Sequence, residues 1–177
     1  MTIIAFIIIG ILLLLFFSPS TVRAAFMGAP FVPTPGYIIR KGLKAAGLQA
    51  GETLYDLGSG TGKVLVIAEK EFGAKPVGFE YSTPLFFLSK INLFLRGAKN
   101  SKVLRKNFFD ADLSKADVIF MFLTPKAFKK LEDKFRRELK PGVRVIAYSS
   151  PLLFWQPKEI ISLPERGKDI NLYLYFI

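Results

Sequence analysis

Three glycines at alternate positions, Gly58, Gly60 and Gly62, follow an apolar, β-prone stretch that contains Asp56. Glycine at this spacing lets the backbone turn sharply and come close to a ligand, because no Cβ stands in the way. A helix-compatible run over residues 64–70 comes next. A strand, a tight glycine turn and a helix start together indicate a ligand-binding crevice at the carboxyl end of a parallel strand.

The spacing of this turn excludes two common nucleotide motifs. A phosphate-binding P-loop, G-x-x-x-x-G-K-[S/T], would need glycine at Leu57 and serine or threonine at Val64. A dinucleotide fingerprint, G-x-G-x-x-G, would need its third glycine where Lys63 stands. What remains is D-x-G-x-G-x-G, whose carboxylate suits a ligand that carries an ammonium and a sulfonium. This pattern resembles motif I of the seven-strand S-adenosylmethionine (SAM) methyltransferases.

A second acidic residue, Glu80, ends the next predicted strand and stands twenty residues after Gly60. A carboxylate at that strand tip is placed to accept hydrogen bonds from the two ribose hydroxyls of an adenosine ligand. The alternative is an ordinary surface glutamate, and the spacing favours the binding role.

Apolar runs predict strands over residues 53–57, 75–80, 103–104, 116–122 and 144–149, separated by helical segments over 61–72, 84–96 and 126–139. Two further runs, 158–163 and 170–177, flank a polar loop and predict a closing antiparallel hairpin. Five βα units and a hairpin are the layout of the α/β, Rossmann-like seven-strand class I SAM methyltransferase fold. In helix 84–96 the spacing of Leu85, Leu88, Ile91 and Leu95 predicts an apolar face in the core. The additional aromatics Phe86, Phe87 and Phe94 either contact a membrane or lie in the core, and the core is the expectation.

Composition excludes several kinds of chemistry. The 177 residues include no cysteine and no histidine, which removes disulfides, cysteine nucleophiles and histidine acid–base catalysis and makes a metal site unexpected. The net charge of +11 favours anionic partners. Because acidic residues are interspersed with the basic ones, nucleic acid is the weaker candidate and phospholipid the stronger.

The amino-terminal stretch Ile3 to Phe17 consists of fifteen apolar or glycine residues. A helix over residues 1–17 would span about 26 Å, against roughly 30 Å of hydrocarbon. A cleaved signal peptide is the alternative, but no basic residue precedes the stretch. The positive charges follow it, so we expect an uncleaved transmembrane helix over residues 1–19, a single-pass membrane protein and a cytoplasmic catalytic domain.

Residues 20–47 are expected to form a linker and a segment preceding the catalytic domain, which would occupy residues 48–177. The first part, 18–29, reads as a short polar linker. Three prolines within residues 30–35 then stiffen the chain. This proline segment is either a rigid spacer or a lid across the crevice, and composition does not choose between them.

With these residues placed, the chain resembles small membrane-anchored protein-lysine methyltransferases, which include the mitochondrial enzymes acting on the ATP synthase c subunit and the ADP/ATP translocator. The resemblance runs from residue 28 to about 157. Its stretches are A-P-F-V-P-T-P (29–35), Y-D-L-G-S-G-T-G (55–62), G-F-E (78–80), F-F-D-A-D-L-S-K-A-D-V-I-F (108–120), L-T-P (123–125) and E-L-K-P-G-V-R-V (138–145). The proline segment joined to an apolar stretch is the most specific part.

The resemblance implies SAM as cofactor, no metal, and a protein substrate with an accessible lysine. Asn107 stands where the family has an acidic residue, although its carbonyl oxygen still suits an adenine amino group. No catalytic base is assigned. The implied cofactor contacts are Asp56, Gly58, Ser59, Gly60, Thr61, Gly62, Glu80, Tyr81, Asn107 and Phe108, and the implied substrate channel consists of Phe31, Val32, Pro33, Leu123, Thr124 and Pro125.

Two other functions share these residues. A methyltransferase of a small or lipid-like acceptor would have the same cofactor contacts and a different channel. A non-catalytic membrane-surface protein would keep the glycine turn only as scaffold, with its basic surface on lipid.

Overall fold

The computed structural model describes residues 5–7, 10, 18–165 and 167–177. The predicted anchor over residues 1–19 therefore falls largely outside the described residues. Among those residues, no helix combines the length and the apolar character needed to cross a bilayer.

A single seven-stranded sheet organises the chain, as the alternating pattern predicted. The strand order is β3-β2-β1-β4-β5-β7-β6, with the first five strands parallel and β7 antiparallel to both of its neighbours. This confirms the Rossmann-like seven-strand fold. The strands are β1 (Thr53–Leu57), β2 (Lys75–Phe79), β3 (Lys102–Leu104), β4 (Val118–Met121), β5 (Arg144–Tyr148), β6 (Glu159–Glu165) and β7 (Lys168–Phe176).

Helices cover both faces of this sheet. They are α1 (Pro19–Phe26), α2 (Gly36–Ala45), α3 (Lys63–Phe72), α4 (Thr83–Leu95) and α5 (Pro125–Glu138), with a 3₁₀ turn at Phe108–Asp110. The expectation of a plain linker over 18–29 is wrong, because α1 occupies most of it. Ser18 caps α1 by accepting a hydrogen bond from the backbone N–H of Thr21, and Pro19 fits the first turn, where its missing N–H costs nothing.

Side chains alternate along each central strand and divide the core into two layers. In β4, Ile119 and Met121 face the layer that contains α5, whereas Val118 and Phe120 face α2 and α3. All four residues of β4 are buried, as expected for a central parallel strand covered on both faces. Because β1 is parallel to both β2 and β4, the carboxyl ends of these three strands lie at one edge of the sheet.

Helix α4 presents the opposite face from the one predicted. Ser89 is fully buried and Leu93 is 6% exposed, packing with Leu65 and Ala98 on the side of α3. Leu88, Ile91 and Leu95, expected in the core, are 40%, 55% and 73% exposed. The helix is apolar on nearly all sides, so its periodicity did not distinguish the inner face from the outer one.

Candidate active site

The glycine turn after β1 has a backbone that requires glycine. Gly58, Gly60 and Gly62 have φ values of +86°, +54° and +76°, in the region where a Cβ is strained. A Cβ on Gly60 would lie 3.0 Å from the Phe31 ring, and one on Gly62 would lie 2.6 Å from the Ser89 hydroxyl. The turn is therefore packed so closely that side chains are excluded from it.

Asp56, the next-to-last residue of β1, lies just before the glycines and is the most unusual group of the site. It is 3% exposed, and its Oδ2 has no hydrogen-bond partner among the described residues. Burial, and secondarily the nearby Glu80 carboxylate, raises the pKa of Asp56 to about 8. A buried carboxyl without a partner is costly, and a cationic group of a ligand would compensate it. The residues present therefore fit a ligand such as SAM, whose amino-acid end carries an ammonium.

Glu80 follows β2, lines the same cleft as Asp56 and is 5% exposed. Its carboxylate accepts hydrogen bonds from the backbone N–H groups of Gly60 and Ser82, each at 2.7 Å. Burial raises the pKa of Glu80, and these backbone donors offset part of that rise. Each carboxylate oxygen keeps a further lone pair. The predicted proximity of Glu80 to the glycine turn is thus present in the structure.

Residues 29–34, here called the lid, lie across the turn and line the cleft. The lid is held at both ends. The backbone N–H of Thr124 donates to the carbonyl of Gly28 at 2.9 Å, and Lys63 Nζ donates to the carbonyl of Thr34, also at 2.9 Å. Of the two interpretations of the proline segment, a spacer or a cover, its position favours the cover.

The cavity between lid and turn is small. It measures about 60 Å³, against roughly 300 Å³ or more for typical ligand pockets, because the Phe31 ring rests on Gly60. A nucleoside-sized ligand therefore requires Phe31 to move aside. The ends of the lid are anchored, so the displacement falls on the segment between them.

Most predicted cofactor residues meet at this cleft. Its walls include Asp56, Gly58, Ser59, Gly60, Thr61 and Glu80, together with Phe31, Val32 and Pro33 of the lid. Gly62 lies just behind, as the left-handed residue that precedes α3. Sequence reasoning missed Leu85, Phe120 and Phe122, which add apolar wall. The apolar run of β4, ending at the same sheet edge as the turn, was the signal that could have identified the two phenylalanines.

Three predicted channel residues do not line the cleft, and one of them, Thr124, holds the chain just before the lid. Leu123 Cδ2 lies 3.5 Å from where a Cβ on Gly58 would stand, and Thr124 binds the backbone of Gly28. Pro125 begins α5. These residues are at the predicted sheet edge, and their part in substrate binding stays a prediction.

Three predicted cofactor contacts lie outside the cleft, namely Asn107 and Phe108, which were expected at the adenine, and Tyr81. Phe108 is 5% exposed and packs in the core against Phe109. Asn107 uses its side-chain oxygen to accept a hydrogen bond from the backbone N–H of Phe109 at 3.1 Å. The Tyr81 ring faces the Arg23 guanidinium at 5.8 Å. Their roles toward a cofactor stay predictions, because none of the three lines the cavity that the lid leaves.

A seven-stranded Rossmann-like sheet with a glycine turn at β1 and an acidic residue at the tip of β2 defines a methyltransferase-type α/β protein. Residues 56–159 match the ANTKMT methyltransferase domain, and the chain belongs to that family. It is accordingly an enzyme, a methyltransferase that depends on SAM.

Lysine methyltransferases from an archaeal strain and from mouse are similar in sequence to this chain. The chain is 34% identical over 150 residues to a protein-lysine N-methyltransferase of Saccharolobus islandicus (strain REY15A), covering 84% of this chain and 93% of that protein. It is 33% identical over 110 residues to the adenine nucleotide translocase lysine N-methyltransferase of Mus musculus, covering 61% of this chain and 48% of that protein. The match thus spans about half the length of the mouse relative.

A solved structure supports the same assignment. The RNA methyltransferase from Salinibacter ruber, in complex with S-adenosyl-L-homocysteine, aligns with a TM-score of 0.77 at 29% identity, covering 82% of this chain and 94% of that one.

Proposed function

We propose that this protein is a SAM-dependent protein-lysine N-methyltransferase whose substrate is a membrane or membrane-associated protein. The observation that carries the lysine assignment is the 34% identity to a protein-lysine N-methyltransferase across 93% of that protein. The RNA methyltransferase of similar fold has 29% identity, so RNA is the acceptor to test against.

Two carboxyl groups are the proposed holders of the cofactor. Asp56 would bind its cationic amino-acid end, because its Oδ2 is buried and has no partner among the described residues. Glu80 would accept hydrogen bonds from the ribose hydroxyls through its remaining lone pairs. When bound, SAM supplies an electrophilic methyl group, and the chain's own residues position and desolvate the acceptor.

The acceptor amine must be neutral to attack, although a lysine in water has a pKa of about 10.4. The sequence contains no histidine that could take the proton. Phe31 and Val32 of the lid, with Phe120 and Phe122 opposite, supply an apolar wall that lowers the pKa of an inserted amine by desolvation. The ammonium then loses its proton to solvent on entry, and alignment of the lone pair with the methyl group provides the rest of the catalysis.

Membrane anchoring through residues 1–19 is part of the proposal. It is supported by the fifteen apolar or glycine residues from Ile3 to Phe17 and by the basic residues that follow. The charge bias favours a single-pass protein with its catalytic domain in the cytoplasm.

The test is incubation of the full chain with membranes and with total RNA, using SAM that carries an isotopically heavy methyl group. Mass spectrometry of digested proteins should find the heavy methyl on lysine, and the Asp56→Asn variant should transfer far less when SAM is limiting. Heavy methyl recovered only in RNA, lipid or small molecules would overturn the lysine assignment. Absence of transfer to every acceptor, with a folded protein that does not bind SAM, would favour a non-catalytic membrane-surface protein.

A further inference from the structure

Helix α4 carries a continuous apolar row on its outer face. Phe87, Ile91 and Phe94 repeat at positions i, i+4 and i+7 and are 57%, 55% and 84% exposed, with Leu95 beside them at 73%. A solvated helix face is normally polar. One exposed apolar side chain needs no explanation, but a contiguous row of this size marks a contact surface.

Helix α4 and the segment after it carry charge of one sign. Residues 81–109 contain six basic residues and no acidic one. Arg105 Nη1 donates to Thr83 Oγ1 at 3.3 Å and so lies at the start of α4, Lys90 lies midway along the helix, and Arg96 follows its last residue. Cations therefore stand along the whole length of the apolar face.

We propose that the outer face of α4 docks on an anionic lipid bilayer, with Phe87, Ile91 and Phe94 among the acyl chains and the basic residues on the phosphates. An apolar row flanked by lysine and arginine is the pattern of helices that lie in the membrane interface. Charge complementarity favours an anionic bilayer over a second copy of the chain as the partner of this face. A second copy of the chain would bring the same cations together, which is unfavourable, whereas anionic headgroups neutralise them.

Helix α1 connects this face to the apolar amino-terminal stretch that precedes it in sequence. The backbone N–H of Thr83 donates to Ser20 Oγ at 3.0 Å, and the Thr21 and Ser82 hydroxyls lie 2.6 Å apart. Residue 18, where the apolar stretch ends, is thereby held near the start of α4. A bilayer that receives the stretch is within reach of the α4 face, although the docking proposal rests on α4 itself.

The chain offers a matched pair of positions for the test. It has no cysteine, so a single introduced cysteine can carry an environment-sensitive fluorophore. Ile91 and Ile160 are both isoleucines and both 55% exposed. Ile160 lies in β6, at the edge of the sheet opposite β3. The full chain with Ile91→Cys or Ile160→Cys is reconstituted in vesicles of equal parts phosphatidylcholine and phosphatidylglycerol, with and without bromine on the acyl chains.

Brominated lipid should quench the label at position 91 severalfold more than the label at position 160. Quenching at position 91 should weaken in vesicles of phosphatidylcholine alone, because each cation near an anionic surface strengthens binding about fivefold. Equal quenching at both positions, or none at position 91, overturns the proposal. A label at position 91 with blue-shifted emission that bromine does not quench also overturns it, since the face is then covered by protein, either a second copy or the amino-terminal stretch.

Discussion

Replacing Asp56 by asparagine should stabilise the protein without ligand increasingly as the pH rises. The carboxyl has a pKa of about 8 in the folded chain and 3.8 as the ordinary value. Between these two values the folded state binds the proton that the unfolded state has released, so the wild-type free energy of unfolding falls with rising pH. Each pH unit in this window costs about 1.4 kcal/mol for one proton.

From pH 5 to pH 7 the wild type should therefore lose about 3 kcal/mol relative to Asp56→Asn. The constant cost of burying an asparagine amide shifts the variant's curve without changing its slope. Denaturant titrations of the full chain in detergent, followed by the fluorescence of Trp155, the single tryptophan, measure both curves. The control is Asp112→Asn, because hydrogen bonds from Ser114 lower the pKa of Asp112, so its contribution changes only at acidic pH. If the Asp56→Asn and wild-type curves run parallel from pH 5 to pH 8, Asp56 does not have a raised pKa in the folded protein, and this argument for a cationic ligand is refuted.

Three further predictions concern the cleft. Gly60→Ala should abolish SAM binding, because its Cβ would point into the space that the Phe31 ring now covers and that the ligand enters once this ring has moved. Gly51→Ala, with φ of +83° and open space around it, should cost about 1 kcal/mol of stability and spare binding. Equal affinities in the two variants would contradict the close approach of the ligand to the turn. Phe31→Ser should reduce methyl transfer more at pH 7 than at pH 10, since a wetter site leaves the acceptor amine charged. Its control is Phe154→Ser, at an exposed phenylalanine that does not line the cleft, and a uniform loss across pH would contradict desolvation. Glu80→Gln should weaken the binding of both adenosine and SAM about tenfold, because one hydrogen-bond acceptor is lost. Asp56→Asn should weaken mainly the binding of SAM, and equilibrium titrations measure both effects. Unchanged adenosine affinity in Glu80→Gln would contradict the role of Glu80 at the ribose.

The sheet and the glycine turn could be predicted because their signals are local. Glycine at 58, 60 and 62 encodes a backbone that few other residues adopt, and alternating strands and helices leave few possible topologies. Glu80 was predictable for the same reason, since the length of one βα unit fixes its distance from the turn.

Contacts between distant segments were not predictable in this way. The Phe31 ring lies on Gly60, and the Thr124 N–H donates to the Gly28 carbonyl; both contacts join residues far apart in sequence. The prediction of the buried face of helix α4 was wrong for another reason. This helix has apolar residues on nearly all sides, so the hydrophobic pattern does not distinguish the buried face from the exposed one. For the same reason Phe87, Ile91 and Phe94 were expected in the core, whereas all three are exposed.

Calorimetric titration of SAM into the full chain directly tests whether this cleft binds the cofactor. Wild type and Asp56→Asn are compared at neutral pH, each in two buffers of different ionisation enthalpy. The wild type should bind and release a proton, because the cationic ligand lowers the raised pKa of Asp56. The variant should bind at least about thirtyfold more weakly and release none. Equal affinity in the two proteins, or no binding by a folded wild type, would contradict the assignment of this cleft as the SAM site.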